Sequence, residues 1–176
     1  LASGPALLQV WEEIDFVDIP GRLIPEWLAI RNRPSASAAH RYTIDRHSVE
    51  VVTRLGRETP RGNRYDDRHY QALLLAGILH DVGKRPWVAD HAAEGARHAS
   101  MVLKRMGFDR DIIWWVTLLV REHLTLSEFA TGQNPNDPNV GDELASRLDH
   151  DPLLLDMLFD LTRADGSSLG ATAGET

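Results

Sequence analysis

His80 and Asp81 stand side by side at the end of the most apolar run of the chain, residues 70–79, and Val82-Gly83-Lys84 follows them. An imidazole and a carboxylate set against Leu79 and Val82 lose hydration, and that loss must be offset by a partner. A divalent cation is one such partner; a hydrogen-bonded core or capping pair is another. The pair has company. His47 lies among Val49, Val51 and Val52, and Asp165 follows Leu158, Leu161 and Thr162, each on its own apolar-periodic segment. Helical bundles build metal sites from facing helices in this way. Two imidazoles and two carboxylates without a thiolate suit Mn, Fe, Co, Ni or Zn, and Mg less well. The chemistry such a set offers is activation of a water as nucleophile near neutral pH.

The elements that must carry these residues read as helices throughout. A first amphipathic stretch holds Leu7, Leu8, Trp11 and Ile14, and Ile19-Pro20-Gly21 ends it. Pro25 sits just inside a short second helix with Trp27 and Leu28, and residues 31–39, rich in Pro, Ser and Ala, read as a connector. A helix then begins near Thr43 and runs towards Leu55, with Gly56 as its stop. Residues 57–67 read as a polar loop before the apolar run. Beyond it, Asp90 caps a helix closed by Gly107, and Asp109 caps the next. Thr125 with Glu128 has capping-box spacing. Asp137-Pro138 and Asp151-Pro152 each set a capping acid before a proline at the first helical position. The last helix runs to about Asp165, and residues 167–176 read as a flexible tail. The expected architecture is an all-α helical bundle, with residues 1–39 as a helical lead and connector and residues 40–166 as the functional domain.

Composition narrows the function. The 176 residues are 43% hydrophobic, enough for one domain with a real core. No apolar run is long enough to span a bilayer, so no membrane partner is expected. Cysteine is absent, and the start, Leu1-Ala2-Ser3-Gly4-Pro5, lacks both a signal-peptide pattern and an initiator Met. A cytoplasmic fragment of a longer protein is the expectation. The net charge of −7 makes nucleic acid a poor partner. The one basic group, Arg54, Arg57, Arg61, Arg64 and Arg68, is interleaved with Glu58, Asp66 and Asp67 and reads as a solvated loop.

The order H…HD…D, and Leu79-His80-Asp81-Val82-Gly83-Lys84 above all, resembles the HD-domain superfamily of metal-dependent phosphohydrolases. Asp90-His91-Ala92-Ala93-Glu94-Gly95-Ala96 resembles the H-x-x-x-G segment of HD proteins that carry a second metal, and Val120-Arg121-Glu122-His123 the segment that supplies their last histidine. The resemblance implies His47, His80, Asp81 and Asp165 as core ligands. It implies His91 and His123 as the extension to a second ion, with Asp81 as the bridge. The cofactor is then one or two divalent ions, Mn first. Asn32-Arg33-Pro34, residues 40–47, residues 115–123 and residues 161–165 are further similar to the uridylyl-removing domain of bacterial PII uridylyltransferases, over nearly the whole chain. In that family a nucleotidyltransferase domain precedes and two ACT domains follow. Residues 85–89, Arg-Pro-Trp-Val-Ala, depart from the more Gly-rich loop usual there.

What the resemblance implies is a phosphodiesterase removing a uridylyl or adenylyl group from a tyrosine of the PII signal protein. Asp81 and Lys84 would be catalytic, and Lys84 and Arg121 would hold the substrate. Two other functions fit the same residues: an HD hydrolase of a free or signalling nucleotide, and a non-catalytic module relaying glutamine sensing. His40, His69, His98 and His150 read as surface or capping residues. Of Trp114 and Trp115 one is core, and Leu153-Leu154-Leu155 is core by default.

Overall fold

The computed structural model describes residues 1–35, 41–59, 61–62, 64–134 and 137–168. Within them the chain is helical, and the β-type pairing among the described residues is one isolated antiparallel bridge between Pro34 and Thr43. The helices are α1 (Leu7–Phe16), α2 (Ile19–Leu23), α3 (Ile44–Glu58), α4 (Asp67–Leu79), α5 (His91–Arg105), α6 (Arg110–Glu122), α7 (Thr125–Gly132), α8 (Pro138–Arg147) and α9 (Pro152–Ser167), with short 3-10 turns at Gly4–Ala6 and Pro25–Ala29.

α4 is the axis of the bundle. It packs on α3, α6 and α9, and Ala72, Leu73, Leu74, Ala76, Ile78 and Leu79 are all buried. A helix covered on several sides is apolar nearly all round, which is why residues 70–79 lack a polar face. α3 shows the opposite pattern, burying Val49, Val51, Val52 and Leu55 while Arg54 and Arg57 stay outside the core. α5 packs against α6. Trp27 and Ile30, both fully buried, join Leu7 in the same core as α3 and α4.

The acidic caps form as their sequence positions predict. Asp90 accepts from the Ala93 N–H, Asp109 from Asp111 and Ile112, Asp137 from Asn139, and Asp151 from Leu153. Gly107 adopts φ +79° just past α5, the left-handed stop that favours glycine.

Several local expectations are overturned. Gly56 does not end α3, which continues to Glu58; its bare Cα lets the Gly4 backbone approach, since a Cβ would lie 3.1 Å from the Gly4 Cα. Ile19-Pro20-Gly21 is not a terminator but the body of α2. Thr125 does not cap α7, because Leu124 takes the N-cap position and Thr125 is the first residue inside the helix, its hydroxyl donating to Glu122 at 2.6 Å. α9 runs through Gly166 to Ser167, and Ser168 is buried with its hydroxyl on the Ala164 carbonyl. The remainder of the proposed tail, residues 169–176, and His40 lie outside the described residues. Leu155 is exposed, unlike Leu154. The loop before α4 is also less solvated than its charges suggest: Tyr65 is buried and donates to Asp160 at 2.8 Å, and Arg64 pairs with the same carboxylate.

Candidate metal centre

The helix ends bring the six candidate ligands to one place. His80 is the C-cap of α4 and His123 the C-cap of α6. Each ring donates its Nδ1–H to the carbonyl three residues back, His80 to Gly77 at 2.8 Å and His123 to Val120 at 2.7 Å. Those carbonyls are among the last of their helices and have no partner further along. The same bond fixes the tautomer, so that Nε2 of each neutral ring carries the lone pair. His91 opens α5, His47 lies within α3 and Asp165 near the end of α9.

The close approach of α5 to the His-Asp turn depends on glycine. A Cβ at Gly83 would collide with the His91 carbonyl oxygen and the Gly95 nitrogen, and would stand 2.8 Å from the Gly95 Cα. Gly95 returns the arrangement, with the His80 carbonyl 3.3 Å from where its Cβ would be. Two bare positions thus let His91 reach the cluster.

Two triads result. Ligand atoms of His47, His80 and Asp165 lie within 4.8 Å of one another, and so do those of Asp81, His91 and His123. His47 Nε2 is 2.7 Å from Asp165 Oδ1, and His80 Nε2 is 3.7 Å from that oxygen. Asp81 faces both groups. Its Oδ2 is 3.4 Å from His80 Nε2 and accepts from Lys84 Nζ at 2.7 Å, while its Oδ1 is 3.9 Å from His91 Nε2 and 3.7 Å from His123 Nε2. Adjacent rings stand with centroids 5.3 to 5.4 Å apart along the series His47, His80, His123, His91.

The donor set fits a divalent cation. Nε2 of His80, His91 and His123 and Oδ1 of Asp81 are buried polar atoms without a hydrogen-bond partner among the described residues. Buried polar atoms are otherwise nearly always satisfied, and here the unsatisfied ones belong to the two adjoining triads. All are nitrogen or oxygen, the donors that Mn, Fe, Co, Ni and Zn accept.

Charge is distributed unevenly around this point. At Asp81 burial opposes ionisation, but His80, Lys84 and His123 outweigh it and hold the carboxyl well below the usual range. Asp165 is lowered against its burial by the bond from His47 and the charge of His80. Burial also works against a proton on His80, yet Asp81 and Asp165 raise it to about 9. His123 is pushed the other way, by burial and then by His80, to about 4. Burial lowers His91 too, against the pull of Asp81 and with the help of Lys84 and His80. Without an ion, His80 carries the proton that balances the two carboxylates.

The remaining sequence candidates fall around the rim. Lys84 is tied to Asp81 and one quarter exposed. Arg121 is mostly exposed and lines a cleft with His91, Thr125, Glu128 and Arg147. Nothing in the sequence pattern pointed to the last two, which come from α7 and α8. His98, expected as a surface or capping residue, is buried, with its Nε2 2.8 Å from a Glu94 carboxylate oxygen. His69 is half-buried and stacks on Trp115 at 4.1 Å, leaving Trp114 exposed. The departing loop, residues 85–89, carries Trp87, fully exposed and at φ +68°.

Residues 44–156 match the HD domain family, a span that contains five of the six candidate ligands and stops short of Asp165. The chain is 37% identical over 173 residues, 98% of its length, to the bifunctional uridylyltransferase/uridylyl-removing enzyme of Streptomyces coelicolor, of which it covers 20%. Proteins of the same description from Mycobacterium tuberculosis and Caulobacter vibrioides are 35% and 30% identical over 97% of the chain. The chain spans about one fifth of the length of these relatives.

Proposed function

The chain belongs to the HD-domain family, and from that membership we propose that it is a metal-dependent phosphodiesterase removing a uridylyl or adenylyl group from a tyrosine of the PII signal protein. The coarser reading, a metal-dependent hydrolase, is supported by the family and by the names of its relatives. The observation that carries it is a pair of ligand triads, His47, His80 and Asp165 beside Asp81, His91 and His123, in which three imidazole nitrogens and one carboxylate oxygen are buried without a hydrogen-bond partner among the described residues.

His47, His80 and Asp165 would hold one ion, His91 and His123 a second, and Asp81 would serve both, since its two oxygens face the two groups. Divalent ions held there activate water as a nucleophile and offset charge on phosphoryl oxygens. Lys84, whose ammonium meets Asp81 at the edge of the cluster, would donate to a phosphoryl oxygen of the substrate. Arg121 at the rim would steady the rest of the substrate. Tyrosine, with a free pKa of about 10, departs without needing a strong acid beside it. Mn is the first choice of metal by donor chemistry. No helix of the described residues is long and apolar enough to cross a membrane. The PII signal protein would be the cytoplasmic partner, and nucleotidyltransferase and ACT domains would be neighbours in a longer chain, as the likeness to uridylyltransferases suggests.

The test is release of UMP or AMP from nucleotidylated PII by the purified protein with and without Mn. Metal-dependent release that Asp81→Ala abolishes, with the helical spectrum retained, is the expected result. Equal release by Asp81→Ala would overturn the assignment.

A further inference from the structure

His91 belongs to two places at once. Its Nε2 faces Asp81 in the metal cluster, and its side chain also forms a wall of a cleft of about 480 Å³ between the start of α5, the end of α6, and α7 and α8. That volume lies in the range of small-molecule sites. Any phosphoryl group seated at the cluster therefore has this cleft as its neighbouring space.

The floor of the cleft is already satisfied. Glu122, nearly buried, accepts from the Thr125 hydroxyl at 2.6 Å and from Arg147 at 3.4 Å. Arg147 is held further by Glu143 at 2.8 Å and lies over the Phe129 ring at 5.3 Å. The walls are not. Arg121 is 67% exposed, its nearest carboxylate oxygen, on Glu122, 4.0 Å away. The Glu128 carboxylate, exposed, makes neither an ion pair nor a hydrogen bond among the described residues. One exposed cation, held among the described residues only by a 4.0 Å ion pair, and one uncommitted anion line the same space. That pairing is ill-suited to a second phosphate, which the carboxylate would repel, and suited to a neutral group that both donates and accepts. A nucleoside is such a group: ribose hydroxyls donate to a carboxylate, and base carbonyl and ring-nitrogen atoms accept from a guanidinium.

We propose that this cleft is the nucleoside subsite, in which Glu128 accepts from the ribose hydroxyls and Arg121 donates to the base of the nucleotidyl group whose phosphorus sits at the metal cluster. The inference rests on the hydrolase reading for the position of the phosphorus, but its test needs no turnover. UMP, AMP and inorganic phosphate are titrated calorimetrically into the Mn-loaded protein. At least one nucleotide is expected to bind tenfold or more tightly than phosphate. Glu128→Ala should lower that ratio about tenfold, Glu128→Gln, which can still accept, less, and Arg121→Ala by an intermediate amount. Both residues are exposed, so neither change threatens the fold. No nucleotide preference in the wild type, or a ratio unmoved by Glu128→Ala, would overturn the subsite. Failure of PII hydrolysis with the preference intact would instead overturn only the choice of substrate.

Discussion

The ammonium of Lys84 lies 2.7 Å from Oδ2 of Asp81, three residues earlier across the turn that closes α4, and it meets a carboxylate only 1% exposed. That oxygen is also the one nearest His80. Lys84 and an incoming cation therefore compete for the same lone pairs. Lys84→Met should bind Mn at least as tightly as the wild type, because the competitor is gone. It should nonetheless turn over about 100-fold more slowly, because a cation that would meet the phosphoryl oxygen is gone too. Mn affinity by titration and kcat on nucleotidylated PII separate the two effects; weaker Mn binding together with unchanged kcat would contradict both.

Two glycines should respond to alanine with opposite signs. At Gly83 a methyl meets backbone of α5 that cannot swing aside, and Gly83→Ala is expected to cost about 2–3 kcal/mol and to displace His91. At Gly141, inside α8 with nothing within 4 Å of the added atom, alanine should stabilise by about 0.5–1 kcal/mol. Urea midpoints of the two variants check the pair.

The metal-free protein should be most stable near pH 6.5, the ordinary histidine value. Below it, the unfolded chain gains a proton on His123 that the fold refuses until about pH 4, so stability falls as pH drops through that window. Above it, the fold keeps the His80 proton until about pH 9 while the unfolded chain has lost it, so that stabilisation is lost as pH rises. Each limb is worth on the order of 3 kcal/mol. Binding of Mn must displace the His80 proton, so apparent affinity should rise up to tenfold per unit between pH 6.5 and 8.5. Thermal unfolding across pH, with and without Mn, reads both effects; a flat metal-free profile would contradict the charge arrangement.

Trp87 and Trp27 give a third contrast. Trp87 is fully exposed in the left-handed region, a conformation that costs a side-chain-bearing residue about 1–2 kcal/mol. Trp87→Gly relieves this and loses no packing, against about 0.5–1 kcal/mol for the added freedom of the unfolded glycine. Stability should hold or rise slightly. Trp27→Ala, at a position with no exposure, should lose about 3–5 kcal/mol. Chemical denaturation distinguishes the two directly.

What the sequence made legible was local. Asp90, Asp109, Asp137 and Asp151 cap their helices because capping needs only a short polar side chain within three residues of an open N–H. Thr125 has the same local credentials and fails, because the helix begins one residue earlier than its spacing implies, with Leu124 at the N-cap and Thr125 already inside the first turn. Gly56 fails as a stop for a related reason: its partner, Gly4, is 52 positions away and invisible to a window of neighbours. The six candidate ligands do converge, and motif order and family likeness carried that expectation across the 118 residues that separate His47 from Asp165. Arg147 and Glu128 carried no such mark. They sit on helices where charge is ordinary, and only the fold brings α7 and α8 to the cleft that they line with His91.

The rings of His80 and His123 are each moored to the last carbonyls of their own helices. A histidine so moored has no choice of rotamer left to surrender when a ligand arrives, because folding of the helix has already made that choice. The ion then selects neither the shape of the site nor the register of α4 and α6. Chelation should therefore behave like emptying a socket rather than pulling a rivet: activity goes and returns with the metal, while the helical spectrum stays in place throughout.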